Sequence, residues 1–269
     1  MENTKFENLL TILKNMQRVL LAYSGGVDST FLMKAIHVAG IPALSVTAAS
    51  EFMPTEEVAA AQEMANALGI NHRILTIAML SRDELASNTP ERCYFCKDRL
   101  YRELESIALE EGYPSILDGS TPDDMAEFRP GRRAAEQHRV RSPLREADLT
   151  KNEIREISRQ LGLSTWNKPS SPCLATRFPY GQRITREALS RVEKAEHYLR
   201  SIGFRELRVR DHGSLARIEV GPEEIVMVLE ARTRAAISAA LKSLGYAFIS
   251  LDLDGYRSGS MDRTLEKTS

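Results

Sequence analysis

The stretch Ser24-Gly25-Gly26-Val27-Asp28-Ser29-Thr30 constrains this chain more than any other, because of what stands on either side of it. Before it, residues 18–23 carry the continuous apolar run Val19-Leu20-Leu21, the pattern of a parallel strand covered on both faces. After it, residues 29–38 (STFLMKAIHV) have the amphipathic character of a helix, and Gly40 supplies a stop. Residues 24–28 are therefore expected to form a tight strand-to-helix turn. Glycines in such a turn permit positive φ and close approach by a ligand. Successive backbone N–H groups and a helix N-terminus make the turn a concave site for anions. The loop matches neither G-x-x-x-x-G-K-[ST] nor G-x-G-x-x-G, so two common phosphate and dinucleotide loops are excluded.

The first half of the chain continues the alternation. Residues 41–47 read as a second strand, 55–69 as an alanine-rich helix, 72–77 as a third strand, 96–111 as a helix and 115–118 as a fourth strand. This order predicts an α/β fold with a parallel, doubly wound sheet. Ligands of such sheets sit beyond the carboxyl ends of the strands, where the glycine loop and the segment 118–124 (DGSTPDD) both fall. The pattern breaks at 166–181 (WNKPSSPCLATRFPYG), a proline-rich stretch that reads as a linker. Beyond it a helix (185–201), two strands (206–210 and 215–220), a helix (226–244) and a last strand (247–253) suggest a smaller α+β domain. The expected organisation is a nucleotide domain over 1–165, a cysteine-containing linker over 166–184 and a substrate or oligomerisation domain over 185–269.

Composition narrows the partners. A formal net charge of −1 gives no global attraction to nucleic acid or to an anionic membrane. No apolar stretch is long enough to span a bilayer, and the N-terminus lacks the basic and apolar regions of a secretion signal. Three cysteines cannot all pair, which suits a reducing compartment and a cytoplasmic location.

Those cysteines stand at informative places. Cys93 and Cys96 form C-Y-F-C just before the predicted helix, and Cys173 lies in the linker. A C-x-x-C pair can be a redox dithiol, half of a zinc site or part of an iron–sulfur site. The dithiol of a thioredoxin-like fold would follow the first strand, a place taken here by the glycine loop. Structural zinc generally wants four protein ligands, and no second C-x-x-C or H-x₃₋₅-H exists. Three thiolates on a cubane leave one iron open, but two packed thiols and an unrelated third fit the same spacing. Arg208 and Arg210 alternate on one strand face, which suits a phosphate or carboxylate or, equally simply, a solvent-facing charged strand. Trp166 reads as core packing and His212 as a turn residue.

The motif S-G-G-x-D-S resembles the PP-loop of the ATP pyrophosphatases, an adenine nucleotide alpha hydrolase-like fold. From that loop to about Gly259 the chain further resembles the LarE family of ATP-dependent sulfurtransferases, through SGGVDST, RCYFCK, LDGSTPDD, FRPGRRAA, VRSPL, GLSTWNKPSSPCLATRFPYGQRIT, LRVRDHGSLARIEV and LDLDGYRSG. The resemblance implies ATP held by Ser24, Gly25, Gly26, Ser29 and Thr30, with Mg²⁺ on Asp28. It implies adenylation of pyridinium-3,5-biscarboxylic acid mononucleotide and replacement of carboxylate oxygen by sulfur, in nickel-pincer nucleotide synthesis. Some members sacrifice the sulfur of one cysteine; others hold a [4Fe–4S] cluster with three. Cys93, Cys96 and Cys173 match the cluster type, with Cys173 also the catalytic thiol. Among six arginines between 129 and 145, Arg129 is assigned to the active site, and Arg208 and Arg210 to the substrate. The source of the sulfide is not implied; a homo-oligomer is. The rival readings are a PP-loop tRNA thiolase using a three-cysteine cluster, with 129–145 as its RNA surface, an amidating synthetase, and a non-catalytic nucleotide-binding protein.

Overall fold

Val19, Leu20 and Leu21 are all fully buried, and they point alternately into two separate cores. They form strand β1 (Val19–Ala22), which is parallel to β2 (Ala43–Ala49) on one side and to β4 (Ser115–Leu117) on the other. With β3 (His72–Thr76) beyond β2, the sheet order is β3-β2-β1-β4 and every pairing is parallel. This is the expected α/β sheet. The computed structural model describes residues 4–125 and 130–257.

Period-2 alternation explains the two cores. Val19 and Leu21 meet the helices Thr4–Lys14, Val27–Ala39 and Lys151–Gln160 through Leu9, Leu13, Phe31, Leu32 and Ile154. Leu20 meets the helices Arg92–Glu111 and Pro130–Gln137 through Tyr101, Leu104 and Ala134. Helices on both faces are what an all-parallel sheet requires. The chain order reverses at β1, between β2 and β4, and that switch point is where such sheets bind ligands.

Contacts divide the chain into two compact units, Met1–Ala78 with Pro90–Ser171, and Met79–Thr89 with Pro172–Ser269. The stretch 166–184 is thus shared between them. In the second unit β5 (Leu207–His212) and β6 (Leu215–Val220) form an antiparallel hairpin, and β7 (Phe248–Leu251) joins β6 in parallel. Helices Arg186–Ser201 and Ala231–Ser243 share its core with Val209, Ile218 and Tyr246. The early segment 79–89 is tied in by Asn88, whose Nδ2 donates to the carbonyls of Phe178 (3.2 Å) and Pro179 (2.7 Å). Among the described residues, no helix is long and apolar enough to cross a membrane.

Two elements differ from expectation. The helix predicted from residue 96 begins at Arg92, so C-Y-F-C lies within it rather than before it. Packing of Tyr94 on Phe95 and under Arg133 outweighs the modest helix propensity of cysteine and aromatic residues. The helix predicted over 226–244 is two, Ile225–Leu229 and Ala231–Ser243, because Glu230 leaves the helical conformation (φ −58°, ψ 132°) between them.

Candidate functional site

The predicted turn is present. Gly25 adopts φ +72° and Gly26 is the last non-helical residue before the helix Val27–Ala39. Its first amides lack intrahelical partners and lie at the positive end of the helix dipole. Ser24 Oγ is 3.0 Å from Ser29 Oγ and accepts from the Gly26 amide at 3.4 Å, which folds the loop onto the helix start. Both sides are tightly packed. A Cβ on Gly25 would lie 3.0 Å from Ala61 Cβ, and one on Gly119, just beyond β4, would lie 3.0 Å from the Ser29 amide nitrogen. The two loops expected on one rim therefore meet at residue 29. Thr30 is different: it is fully buried, and its hydroxyl pairs with Tyr23 OH at 3.2 Å.

The 118–124 segment is built around carboxylates. Buried Asp118 accepts from the Ser120 amide (3.1 Å), Ser142 Oγ (2.7 Å) and Tyr101 OH (3.3 Å), which fixes the turn. Asp124 accepts from the Thr121 amide at 2.9 Å and pairs with Lys151 Nζ at 2.8 Å. Burial, together with the charges of Asp124 and Asp123, pushes the Asp28 carboxyl up to about 6, against the opposing pull of Lys151 and Arg155. A carboxylate so short of positive charge fits a divalent cation held between protein and phosphate oxygens.

Arg155 belongs to no motif in the sequence and Lys168 has no expected role within the proline-rich segment, yet both bear on the loop. Lys168 Nζ donates to the carbonyl of Gly25 at 3.1 Å and to Glu57 at 2.6 Å. Arg155 holds the same segment by donating to the carbonyls of Trp166 (2.7 Å) and Lys168 (3.1 Å). Trp166 is 39% exposed, so it is not the core residue expected.

Cys93 and Cys96 are both half-buried, in the opening turns of their helix and three residues apart, hence on one face. Arg92 Nη2 lies 3.7 Å from Cys93 Sγ. A helix N-terminus and a guanidinium suit an anionic sulfur ligand, so this pair fits two of the thiolates that a cluster needs. Cys173 belongs to the second unit. Among the described residues, no three Cys, His, Asp or Glu side chains are gathered as a metal site.

In the second unit, Cys173 opens a short 3₁₀ turn, Leu174–Arg177. Its carbonyl accepts from Thr176 Oγ1 (2.9 Å) and Arg177 Nη1 (3.2 Å). Arg177 in turn faces Glu196 through two bonds, Nε–Oε1 at 2.8 Å and Nη2–Oε2 at 2.9 Å. Arg210 donates to the Thr176 carbonyl at 2.9 Å and to Glu219 at 2.6 Å, and Arg208 lies over the Tyr256 ring. Arg208 and Arg210 are buried, so the solvent-facing alternative fails. Burial and then the charge of Arg177 hold the Arg208 guanidinium below its ordinary pKa, against the pull of Glu196. Arg177 and Arg200 pair with Glu196, Arg210 and Arg217 with Glu219, and Arg217 also with Asp252. The structure thus brings Cys173 together with Arg208 and Arg210, through Arg177 and Thr176.

Arg129 lies outside the described residues. Of its neighbours, Arg132, Arg133 and Arg141 pair with Glu136, Glu91 and Glu146.

No family model matches the chain. It is 42% identical over 268 residues to an uncharacterized protein of Synechocystis, covering 99% of this chain and all of the other. It is 41% identical over 266 residues to the pyridinium-3,5-bisthiocarboxylic acid mononucleotide synthase of Lactiplantibacillus plantarum, covering 98% of this chain and 96% of that one. A more distant likeness, 29% over 166 residues, relates 58% of the chain to 66% of an ammonia-dependent NAD⁺ synthetase of Mannheimia succiniciproducens.

Proposed function

We infer the activity from kinship, because this chain belongs to the LarE family of pyridinium-3,5-bisthiocarboxylic acid mononucleotide synthases. On this reading it uses ATP to transfer sulfur to pyridinium-3,5-biscarboxylic acid mononucleotide, converting carboxylates to thiocarboxylates for the nickel-pincer nucleotide. The observation that carries the reading is the end-to-end match to the synthase.

The amides at the start of the helix Val27–Ala39 receive the pyrophosphate part of ATP, since they point outward at the positive end of a dipole. Mg²⁺ on Asp28 would offset repulsion between the phosphates and the incoming carboxylate. A substrate carboxylate oxygen then attacks the α-phosphorus, the bond to the bridging oxygen breaks, and pyrophosphate leaves. Arg208 and Arg210 orient the substrate through its phosphate or second carboxylate. Sulfur replaces AMP at the activated carbon, with Cys173 held in place by Arg177. A [4Fe–4S] cluster on Cys93, Cys96 and Cys173 would supply that sulfur. The protein works in the cytoplasm as a homo-oligomer.

The test is an anaerobic turnover after iron–sulfide reconstitution, with ATP, Mg²⁺ and the biscarboxylate nucleotide, followed by mass spectrometry. More than one sulfur transferred per chain with Cys173 intact supports cluster-borne sulfur. Sulfur that appears only as Cys173 loses its own means sacrificial donation, and no sulfur in the nucleotide at all overturns the reading.

A further inference from the structure

Lys168 sits in a proline-rich strap, yet its ammonium reaches the phosphate loop. The Lys168 Nζ contacts both the Gly25 carbonyl (3.1 Å) and Glu57 Oε2 (2.6 Å), and the two side chains are only 23% and 20% exposed. Arg155 anchors the backbone beneath it by gripping the carbonyls on either side of Asn167. A long flexible stem on an anchored backbone lets the ammonium swing between acceptors without moving the strap far.

Glu57 is a good temporary partner. It occupies the first turn of the helix Thr55–Ala67, where the helix dipole stabilises a carboxylate after its cation has left. A nucleotide's phosphates carry several negative charges against one on Glu57, and they would approach the very loop whose carbonyl Lys168 already touches. Charge-assisted contacts of this kind are the stronger class of hydrogen bond. A purely structural ion pair would need neither the contact to Gly25 nor a carboxylate that is stabilised on its own.

We propose that Lys168 is a nucleotide-responsive latch: Glu57 holds its ammonium when the loop is empty, and the phosphates of bound ATP take it over. The strap that carries it leads, five residues on, to Cys173, at most about 18 Å of extended chain. The inference rests on the reading of residues 24–30 as an ATP site.

The test measures binding of α,β-methylene ATP with Mg²⁺ to the full chain by calorimetry, for the wild type, Lys168→Met and Glu57→Gln. Losing a charge-assisted phosphate contact should weaken binding by roughly tenfold or more in Lys168→Met. Glu57→Gln should tighten binding, because it removes a competitor for the ammonium. Hydrogen exchange across 164–171 should change on analogue binding in the wild type and not in Lys168→Met. Affinities that fall together in both variants, or stay unchanged in both, mean a structural ion pair and overturn the latch alone. A wild type that does not bind the analogue overturns the ATP reading and the latch with it.

Discussion

Arg177 and Glu196 face each other through two parallel hydrogen bonds, and their side chains are only 1% and 2% exposed. The same guanidinium donates to the carbonyls of Pro172 and Cys173. One buried pair therefore fixes the turn that presents the thiol. Removing one partner of such a pair leaves an uncompensated buried charge, at a cost of about 3–5 kcal/mol. Glu196→Ala should lower the unfolding free energy by that order and speed alkylation of Cys173 under native conditions. Urea melts and peptide-mapped iodoacetamide labelling read both effects; a stable variant with unchanged Cys173 labelling would show that the pair does not hold the turn.

Arg208 and Arg210 should separate in their effects. Arg210 pairs with one oxygen of fully buried Glu219 and Arg217 with the other, so Arg210→Ala leaves that carboxylate only partly compensated and should cost about 1–3 kcal/mol, the range for losing a hydrogen bond to a charged group. Arg208 donates to its neighbour's carbonyl and to the Tyr256 hydroxyl, and its charge is opposed by Arg177. Arg208→Ala should raise KM for the pyridinium nucleotide about tenfold. Steady-state kinetics beside thermal melts separates the two; an unchanged KM removes Arg208 from the substrate site.

Much of this was legible in the sequence, for identifiable reasons. The continuous run Val19-Leu20-Leu21 requires two covered faces, and the glycine turn after it can bind an anion only at a helix start. Arg208 and Arg210 were visible as a pair by their spacing, but their burial was not, since Arg210 is held by Glu219 across the hairpin and by the Thr176 carbonyl, and Arg208 by Tyr256. Arg177 and Glu196 are 19 residues apart and Lys168 and Glu57 are 111 apart. No local period relates such positions. The segment 79–89 joins the second unit through long-range backbone bonds such as Ile184 N to Ala86 O at 2.7 Å, which leave no trace in composition.

Two glycines test the loop packing. A Cβ at Gly119 would sit 3.0 Å from the Ser29 nitrogen and 3.1 Å from its Cα, both backbone atoms that cannot yield without moving the helix start. Gly119→Ala should weaken nucleotide binding about tenfold and cost about 1–3 kcal/mol, as overpacking does. Gly69 has φ +65°, but a methyl group there would meet nothing within 4 Å. Gly69→Ala should therefore cost about 1–2 kcal/mol from backbone strain and leave nucleotide affinity unchanged. Equal affinities for the two variants would mean that the β4 exit does not shape the phosphate site.

His138 should make stability depend on pH. Its ring joins the end of the helix Pro130–Gln137 to the cysteine-bearing helix, with Nε2 at 2.9 Å from Asp98 and Nδ1 at 3.0 Å from Glu105. Burial pulls its pKa down, but the bonds to the two carboxylates outweigh it and the net shift is upward from 6.5. The Asp98 carboxyl is held low, first by Arg102 and also by His138, so it stays charged across the window. A histidine that binds its proton more tightly when folded stabilises the protein fully below the unfolded pKa, and that stabilisation is lost as pH rises through the folded value. The stability gap between wild type and His138→Gln should therefore be greatest below about pH 6.5 and shrink above it. Urea melts of both proteins across pH 6–9 measure that gap, and a gap that stayed constant or widened with rising pH would mean that the ring is neutral between the two carboxylates.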